Sequence, residues 1–134
     1  LIDLINAMKK RNVDIVIGSR LIKGGEVEEW PLYRKMISFT ARIIALPLTR
    51  VKDSMSGFFM FNKKILNGVV LRPKGYKILL EILVKSNYKN FVEVPYVFRN
   101  RDMGKSKLSS KIYIQYLSHI FNLYLYKINK IFKR

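Results

Sequence analysis

The sequence predicts an α/β fold on three observations: an amphipathic helical pattern at the amino end, a β-branched run directly after it, and further alternation of the two patterns as far as residue 98. Apolar residues at 1, 2, 4, 5 and 8 share one helix face, and Lys9, Lys10 and Arg11 are expected in its last turn, where the macrodipole favours cations. Val13-Asp14-Ile15-Val16-Ile17 follows and stops at Gly18-Ser19-Arg20, so helix, turn and buried strand read as one unit of a parallel sheet. Ligands of open α/β sheets bind at the carboxyl edge of the strands, and Arg20 stands there.

Lys23 to Glu29 reads as a flexible loop holding three of the nine acidic residues. Trp30-Pro31 marks a helix entry, and Leu32 to Leu46 is a mostly apolar helix that Pro47 should end or kink. On it Arg34, Ser38 and Arg42 recur at i, i+4 and i+8, forming one polar stripe on an otherwise apolar cylinder. Met55 to Asn62 is expected as a second strand. Lys74 to Lys85 is expected as a helix with Ile78, Leu79, Ile82 and Leu83 on one face. Phe91 to Phe98 reads as a third strand, where Pro95 argues for an edge or a bulge. From Lys111 onward a helix carries a narrow polar stripe of Lys111, Gln115, Ser118, Asn122, Asn129 and Lys133, with His119 placed in it. Ile, Leu, Phe and four Tyr cover the rest. So wide an apolar surface packs on the domain, on another protein or on a bilayer interface.

The 134 residues amount to one domain or part of one, and an apolar content of 49% excludes a disordered tail. With no cysteine and a single histidine, disulfides, thiolate nucleophiles and Cys- or His-based metal clusters are excluded, so a metal would need carboxylates. Twenty-six Lys and Arg against nine Asp and Glu give a formal charge of +17, which calls for an anionic partner: nucleic acid, a phosphorylated substrate or an acidic membrane face. The chain opens at Leu1 directly in a helical pattern and reads as a fragment whose beginning is missing; no signal peptide can be argued. The uncharged run Ile112 to Tyr126 is short of the roughly 20 residues of a spanning helix.

Arg20, Arg34 and Ser38, with Arg101 and Lys107 bracketing Gly104-Lys105-Ser106, are suited to phosphate. Arg meets two oxygens with a planar fork, Ser adds a donor, and glycine lets the backbone come close. Asp53 is either the orienter of an arginine or of a sugar, or a turn residue before a strand. Glu81 is either near the site or a helix-surface acid, the second being the plainer reading.

In order along residues 1 to 125, Asp14-Ile15-Val16-Ile17-Gly18-Ser19-Arg20, Gly24-Gly25, Trp30-Pro31-Leu32-Tyr33-Arg34 with Ser38, Asp53-Ser54-Met55-Ser56-Gly57-Phe58, Lys74-Gly75-Tyr76 with Glu81, Val94-Pro95 and Phe98 to Leu108 resemble the dolichyl-phosphate mannosyltransferases and related polyprenyl-phosphate glycosyltransferases. These are inverting glycosyltransferases of family 2. The resemblance implies the carboxyl-terminal part of a GT-A fold, Rossmann-like and built for nucleotide-diphospho-sugars, over residues 1–108. An amphipathic, membrane-interfacial helix would follow over 109–134. It implies transfer of mannose or another hexose from a nucleotide sugar, GDP-mannose, to dolichyl or polyprenyl phosphate, with a divalent metal, Mg or Mn, whose Asp-x-Asp lies outside this chain. It further implies peripheral placement on the cytoplasmic face of a membrane, with a membrane-anchoring subunit as a possible partner. By the same likeness Arg20, Arg34 and Ser38 cradle the lipid phosphate as the catalytic set, while Arg101, Ser106 and Lys107 close over the donor and Asp53 serves substrate binding. Phe59 stands where the family usually has Arg. The alternatives from other classes are a basic nucleic-acid-binding module and a noncatalytic membrane-interaction subunit. No helix-turn-helix, zinc-finger or RNP pattern accompanies the charge, so nucleic acid is not the expected partner.

Overall fold

The computed structural model describes residues 1–10, 12–28, 31–72, 77–99 and 110–132, with the side chains of the last segment from residue 112. Helix α1 (Ile2–Met8) buries Leu4 and Ala7. Lys9 is its C-cap, so the expected last-turn cations fall beyond the helix; Asn12, in the left-handed region at φ 68, then turns the chain into the first strand. Strand β1 (Ile15–Ser19) is buried along its whole length. Successive side chains of a strand point to opposite faces. Val16 accordingly packs with Leu4 and Ala7 of α1, whereas Ile15 and Ile17 join Val51, Ile65, Leu79, Ile82 and Leu83 on the other face.

Strand β2 (Glu26–Val27) occupies the segment expected as a loop. Helix α2 (Leu32–Ala45) starts after Pro31, and a turn then leads to strand β3 (Phe59–Phe61). Helix α3 (Ile78–Lys85) precedes strands β4 (Phe91–Pro95) and β5 (Val97–Phe98), and α4 (Ser110–Phe132) ends the described chain. Three strands form a sheet in the order β3-β1-β4, and β2 pairs with β5 in a separate parallel ribbon.

The sheet is mixed, whereas the opening helix and strand read as one unit of a parallel sheet. Strand β4 runs parallel to β1, but β3 runs antiparallel, with Phe59 opposite Ile17 and Phe61 opposite Ile15. The cause is local. The turn at Asp53–Ser56, closed by Ser56 N–H donating to the Asp53 carbonyl at 3.1 Å, delivers the chain to the carboxyl end of β1, so β3 has to run back along it. Met55 and Ser56 are used in that turn, and the second strand is shorter than expected. The third strand divides at Tyr96, whose N–H donates to Ser19 and whose carbonyl accepts from Glu26, so the chain passes there from one sheet partner to another. Pro95 closes β4 at an edge of the sheet.

Helix α3 is buried all round rather than on one face. Leu79, Ile82 and Leu83 meet the sheet, Leu80 meets α2 and α4, and Glu81 is buried too. The surface acid expected at 81 is thus an interior one. Its Oε1 accepts from Arg72 N–H at 2.7 Å and from the Lys85 ammonium at 2.5 Å, which offsets the desolvation a lone carboxylate would suffer. His119, expected on a polar stripe, is buried beside Ile120 and Leu123, where α4 covers α3 and the end of α2. Tyr116 and Tyr124 donate to the carbonyls of Ala41 and Ile44. Burial, with Tyr124 nearby, raises the Tyr116 hydroxyl above the ordinary tyrosine pKa. Truncating the fully buried Leu80 to Ala is expected to cost about 2–5 kcal/mol in urea unfolding; a loss under about 1 kcal/mol would mean that α4 does not pack there.

Candidate functional site

Arg20 follows β1 directly, and its guanidinium is clamped by one carboxylate. Nε donates to Asp53 Oδ2 and Nη2 to Oδ1, both at 2.8 Å, and the Arg20 backbone N–H donates to Oδ2 at 3.0 Å. Asp53 is 1% exposed. Its own loop is pinned by Glu93 of β4, whose two oxygens accept the N–H groups of Lys52 and Asp53 at 3.1 Å. Burial alone would lower the Arg20 pKa, but the hydrogen bond and charge of Asp53 hold it above the ordinary arginine value. A planar bidentate pair of this kind fixes direction as well as charge.

Two glycines make the close packing possible. A β-carbon on Gly25 would run into the Ser19 carbonyl and the Arg20 backbone, and one on Gly18 would fall 2.6 Å from the Phe58 ring. Phe58 and Tyr96 lie against each other at 5.4 Å and 58° between planes, and the Ser56 hydroxyl donates to the Gly18 carbonyl at 2.6 Å. Arg20 also stands over the Phe98 ring, 5.9 Å from its centroid, within cation–π range.

These elements enclose an open cleft of about 580 Å³, lined by Arg20, Arg34, Met55, Gly57, Phe58, Lys77, Tyr96 and Phe98. It brings Arg20 and Arg34 together at the carboxyl edge of β1 and β4. Ser38 lies one turn beyond Arg34, half-buried, and is not part of the wall; Asp53 stands behind Arg20 rather than in the cleft. Arg101, Ser106 and Lys107, like Lys74, Gly75 and Tyr76 and the domain boundary expected at 108, lie outside the described residues. Phe59 stacks on Phe61 and packs on the core.

Lys77 is the residue that sequence reasoning missed. It is the N-cap of α3, in a stretch with several other lysines, and only the fold turns it toward the arginines. Burial lowers its pKa, then the charge of Arg20 and that of Arg34, with Asp53 acting the other way. The aromatic wall was equally hidden, since Tyr96 and Phe98 read as ordinary strand residues. Among the described residues no three or more of His, Cys, Asp or Glu come together to hold a metal, and Asp53 is committed to Arg20.

No protein-family model matches the chain. It is 52% identical over 124 residues to a dolichol-phosphate mannosyltransferase of Pyrococcus furiosus, a match covering 90% of this chain and 35% of that protein. This chain belongs to the dolichol-phosphate mannosyltransferase family. Another member, from Saccharomyces cerevisiae, is 43% identical over 120 residues, covering 83% of this chain and 45% of that protein. An undecaprenyl-phosphate mannosyltransferase of Micrococcus luteus is 33% identical over 112 residues, covering 76% and 45%. The chain thus spans less than half the length of these mannosyltransferase relatives. Within it, the Arg20–Asp53 clamp is the feature most open to test. Asp53→Ala leaves a buried guanidinium without its carboxylate and is expected to cost about 3–5 kcal/mol in urea unfolding; a change below about 1 kcal/mol would show that Asp53 does not hold Arg20.

Proposed function

We propose that the chain is the acceptor-side, carboxyl-terminal part of a GT-A glycosyltransferase. The intact enzyme transfers mannose from a nucleotide sugar, GDP-mannose, to dolichyl or polyprenyl phosphate, with inversion, at the cytoplasmic face of a membrane. What carries the reading is the cleft: Arg20, Arg34 and Lys77 meet in one concavity with aromatic walls, and a carboxylate, that of Asp53, stands behind Arg20. The names of its relatives supply the sugar and the class of acceptor.

The chemistry suits these residue types. A phosphate monoester has a second pKa near 6, so it is already an anionic nucleophile at neutral pH and needs little help from a general base. It needs orientation. One phosphate oxygen forms a bond to the anomeric carbon from the face opposite the departing nucleotide diphosphate, whose bond to that carbon breaks. Cations hold the phosphate in line. Arg20 does so from a direction fixed by Asp53, and Arg34 and Lys77 complete the charge neutralisation. Ser38 adds a donor if the acceptor reaches past Arg34 along α2. Arg101, Ser106 and Lys107 belong to the donor side in this reading, and the divalent metal would be held by residues beyond those described.

Helix α2 supports the membrane setting. Its half-buried residues include Arg34, Ser38 and Arg42, while Leu32, Tyr33, Met36, Phe39 and Ile43 face outward, with Met36 61% and Phe39 57% exposed. Ile114, Leu117, Phe121 and Leu125 of α4 are exposed as well. A helix with its polar stripe inward and its apolar stripe outward suits a bilayer interface, and among the described residues no helix is long and apolar enough to cross a membrane.

Arg34→Ala in the intact enzyme is expected to lower turnover with a polyprenyl-phosphate acceptor a hundredfold or more while leaving the unfolding midpoint unchanged, as for loss of one donor to a developing charge; normal turnover would remove Arg34 from the site. Lys77 gives the cleft a pH signature. Its charged form is disfavoured before an anion binds, so it is present below the lowered pKa and lost as pH rises through it. Sulfate, dianionic throughout, is expected to bind more weakly as pH rises through a value below the ordinary lysine 10.5, and Lys77→Met is expected to flatten that profile in calorimetry; an unchanged profile in the variant would place Lys77 outside the anion site.

A further inference from the structure

A second concavity, of about 430 Å³, lies at the opposite end of the sheet. Tyr88, Lys89 and Phe91 line it where β4 begins, whereas the cleft above gathers where β1 and β4 finish. Its other walls are Leu46 to Arg50, just past α2, and Lys127 of α4. Three cations, Arg50, Lys89 and Lys127, line it, and among the described residues no acidic one does. The nearby carboxylate of Asp14 is engaged by the N–H groups of Lys89 and Asn90, at 2.7 and 3.0 Å.

Lys127 is held in place. Its ammonium donates to the Pro47 carbonyl at 2.6 Å and more weakly to that of Leu48 at 3.4 Å, which ties α4 to the end of α2. An ammonium has three donors, so one is left for a ligand. Tyr88 and Phe91 meet edge to face at 6.2 Å and, with Pro47 and Leu48, add apolar side chains to the lining. Cations and apolar side chains sharing one lining, with room well beyond a bare phosphate ion, fit a phosphate carrying an organic substituent. Leu46 lines the concavity and is exposed, next to the outward Ile43 and Ile44 of α2; Ile128 and Ile131 of α4 are exposed beside Lys127. The opening is therefore continuous with the apolar surface assigned above to the bilayer.

We propose that this concavity, with Arg50 and Lys89 at its rim and Lys127 in its wall, binds the phosphate-bearing headgroup of an anionic membrane lipid, as a site separate from the catalytic cleft. The proposal rests on the membrane-facing reading of α2 and α4. Occupancy would fix the rotation of the domain on the surface, because the headgroup is gripped at one end of the exposed apolar belt.

The test uses vesicle sedimentation of the full chain at about 150 mM salt, with pure phosphatidylcholine and with about one-quarter phosphatidylglycerol. Arg50→Ala/Lys89→Ala is compared with Lys9→Ala/Lys10→Ala. The second pair changes the charge equally but lies after α1 and does not line the concavity. The expected result is that the rim variant binds the anionic vesicles roughly tenfold or more weakly, while the control stays within about twofold of the parent. Equal loss in both variants would reduce the effect to net charge and overturn the proposal, as would equal binding of the parent to both vesicle types. Binding to neither vesicle would overturn the membrane reading itself. Glycerol 1-phosphate is the soluble arm: shifts of the Tyr88 and Lys89 resonances at micromolar concentration would assign the site to a soluble phosphate instead. The rim variant is expected to keep mannosyl transfer to a detergent-solubilised acceptor in the intact enzyme, which separates this proposal from the catalytic one.

Discussion

The Arg20–Asp53 pair is the constraint on which the arrangement around the cleft depends. A guanidinium placed after a buried strand has little freedom to begin with, and two hydrogen bonds to a carboxylate that is itself buried leave it one direction. The same carboxylate takes the Arg20 backbone N–H, so it fixes where β1 ends as well as where the side chain goes. Glu93 extends the chain of constraint from the neighbouring strand by holding the two N–H groups that set the Asp53 loop. Because Asp53 sits at the carboxyl end of β1, the chain that follows starts β3 there, and the antiparallel pairing comes from the same ion pair. Two carboxylates, one charge clamp and one strand direction are in this sense a single feature.

The outward apolar face of α2 follows from the demands of the cleft. A helix that borders a cationic concavity has to point its cations inward, and of α2 it is Ala45 that is left for a conventional core. The core lost there is recovered by α4, which covers Ala45, Leu48 and Leu80 and donates hydrogen bonds from Tyr116, Tyr124 and Lys127 to carbonyls at the end of α2. The last helix thus serves a packing role on one side and presents Ile114, Leu117 and Phe121 on the other.

The sequence made the elements legible where one period dominated. The β-branched run ending at Ser19 and the polar stripes on the otherwise apolar α2 and α4 each admitted one local structure. Strand direction was not legible, because nothing in Phe59–Phe61 reports that a tight turn delivers it to the far end of β1. The strand β2 escaped because Glu26–Val27 is too short for any period and forms only when β5 comes alongside. Interior charges misled for a related reason: Glu81 looks like a surface acid until the fold brings Arg72 N–H and Lys85 to it. For the cleft, Arg20 and Arg34 stood out by their places after a strand and on a polar stripe. Lys77 and Tyr96 could be picked out only once distant segments were brought together.

The orientation of α2 also inverts the usual rule for which of its substitutions are harmless. In an ordinary amphipathic helix the solvent side drifts toward charge while the inner side is guarded for bulk. Here the outer positions, Met36, Phe39 and Ile43, are the ones that hydropathy alone would misplace. Exchanging them for Gln or Ser removes no core packing, so the free chain should gain solubility without losing its fold. Selection for grease at those positions would then be visible only in cells, where a surface is present to reward it.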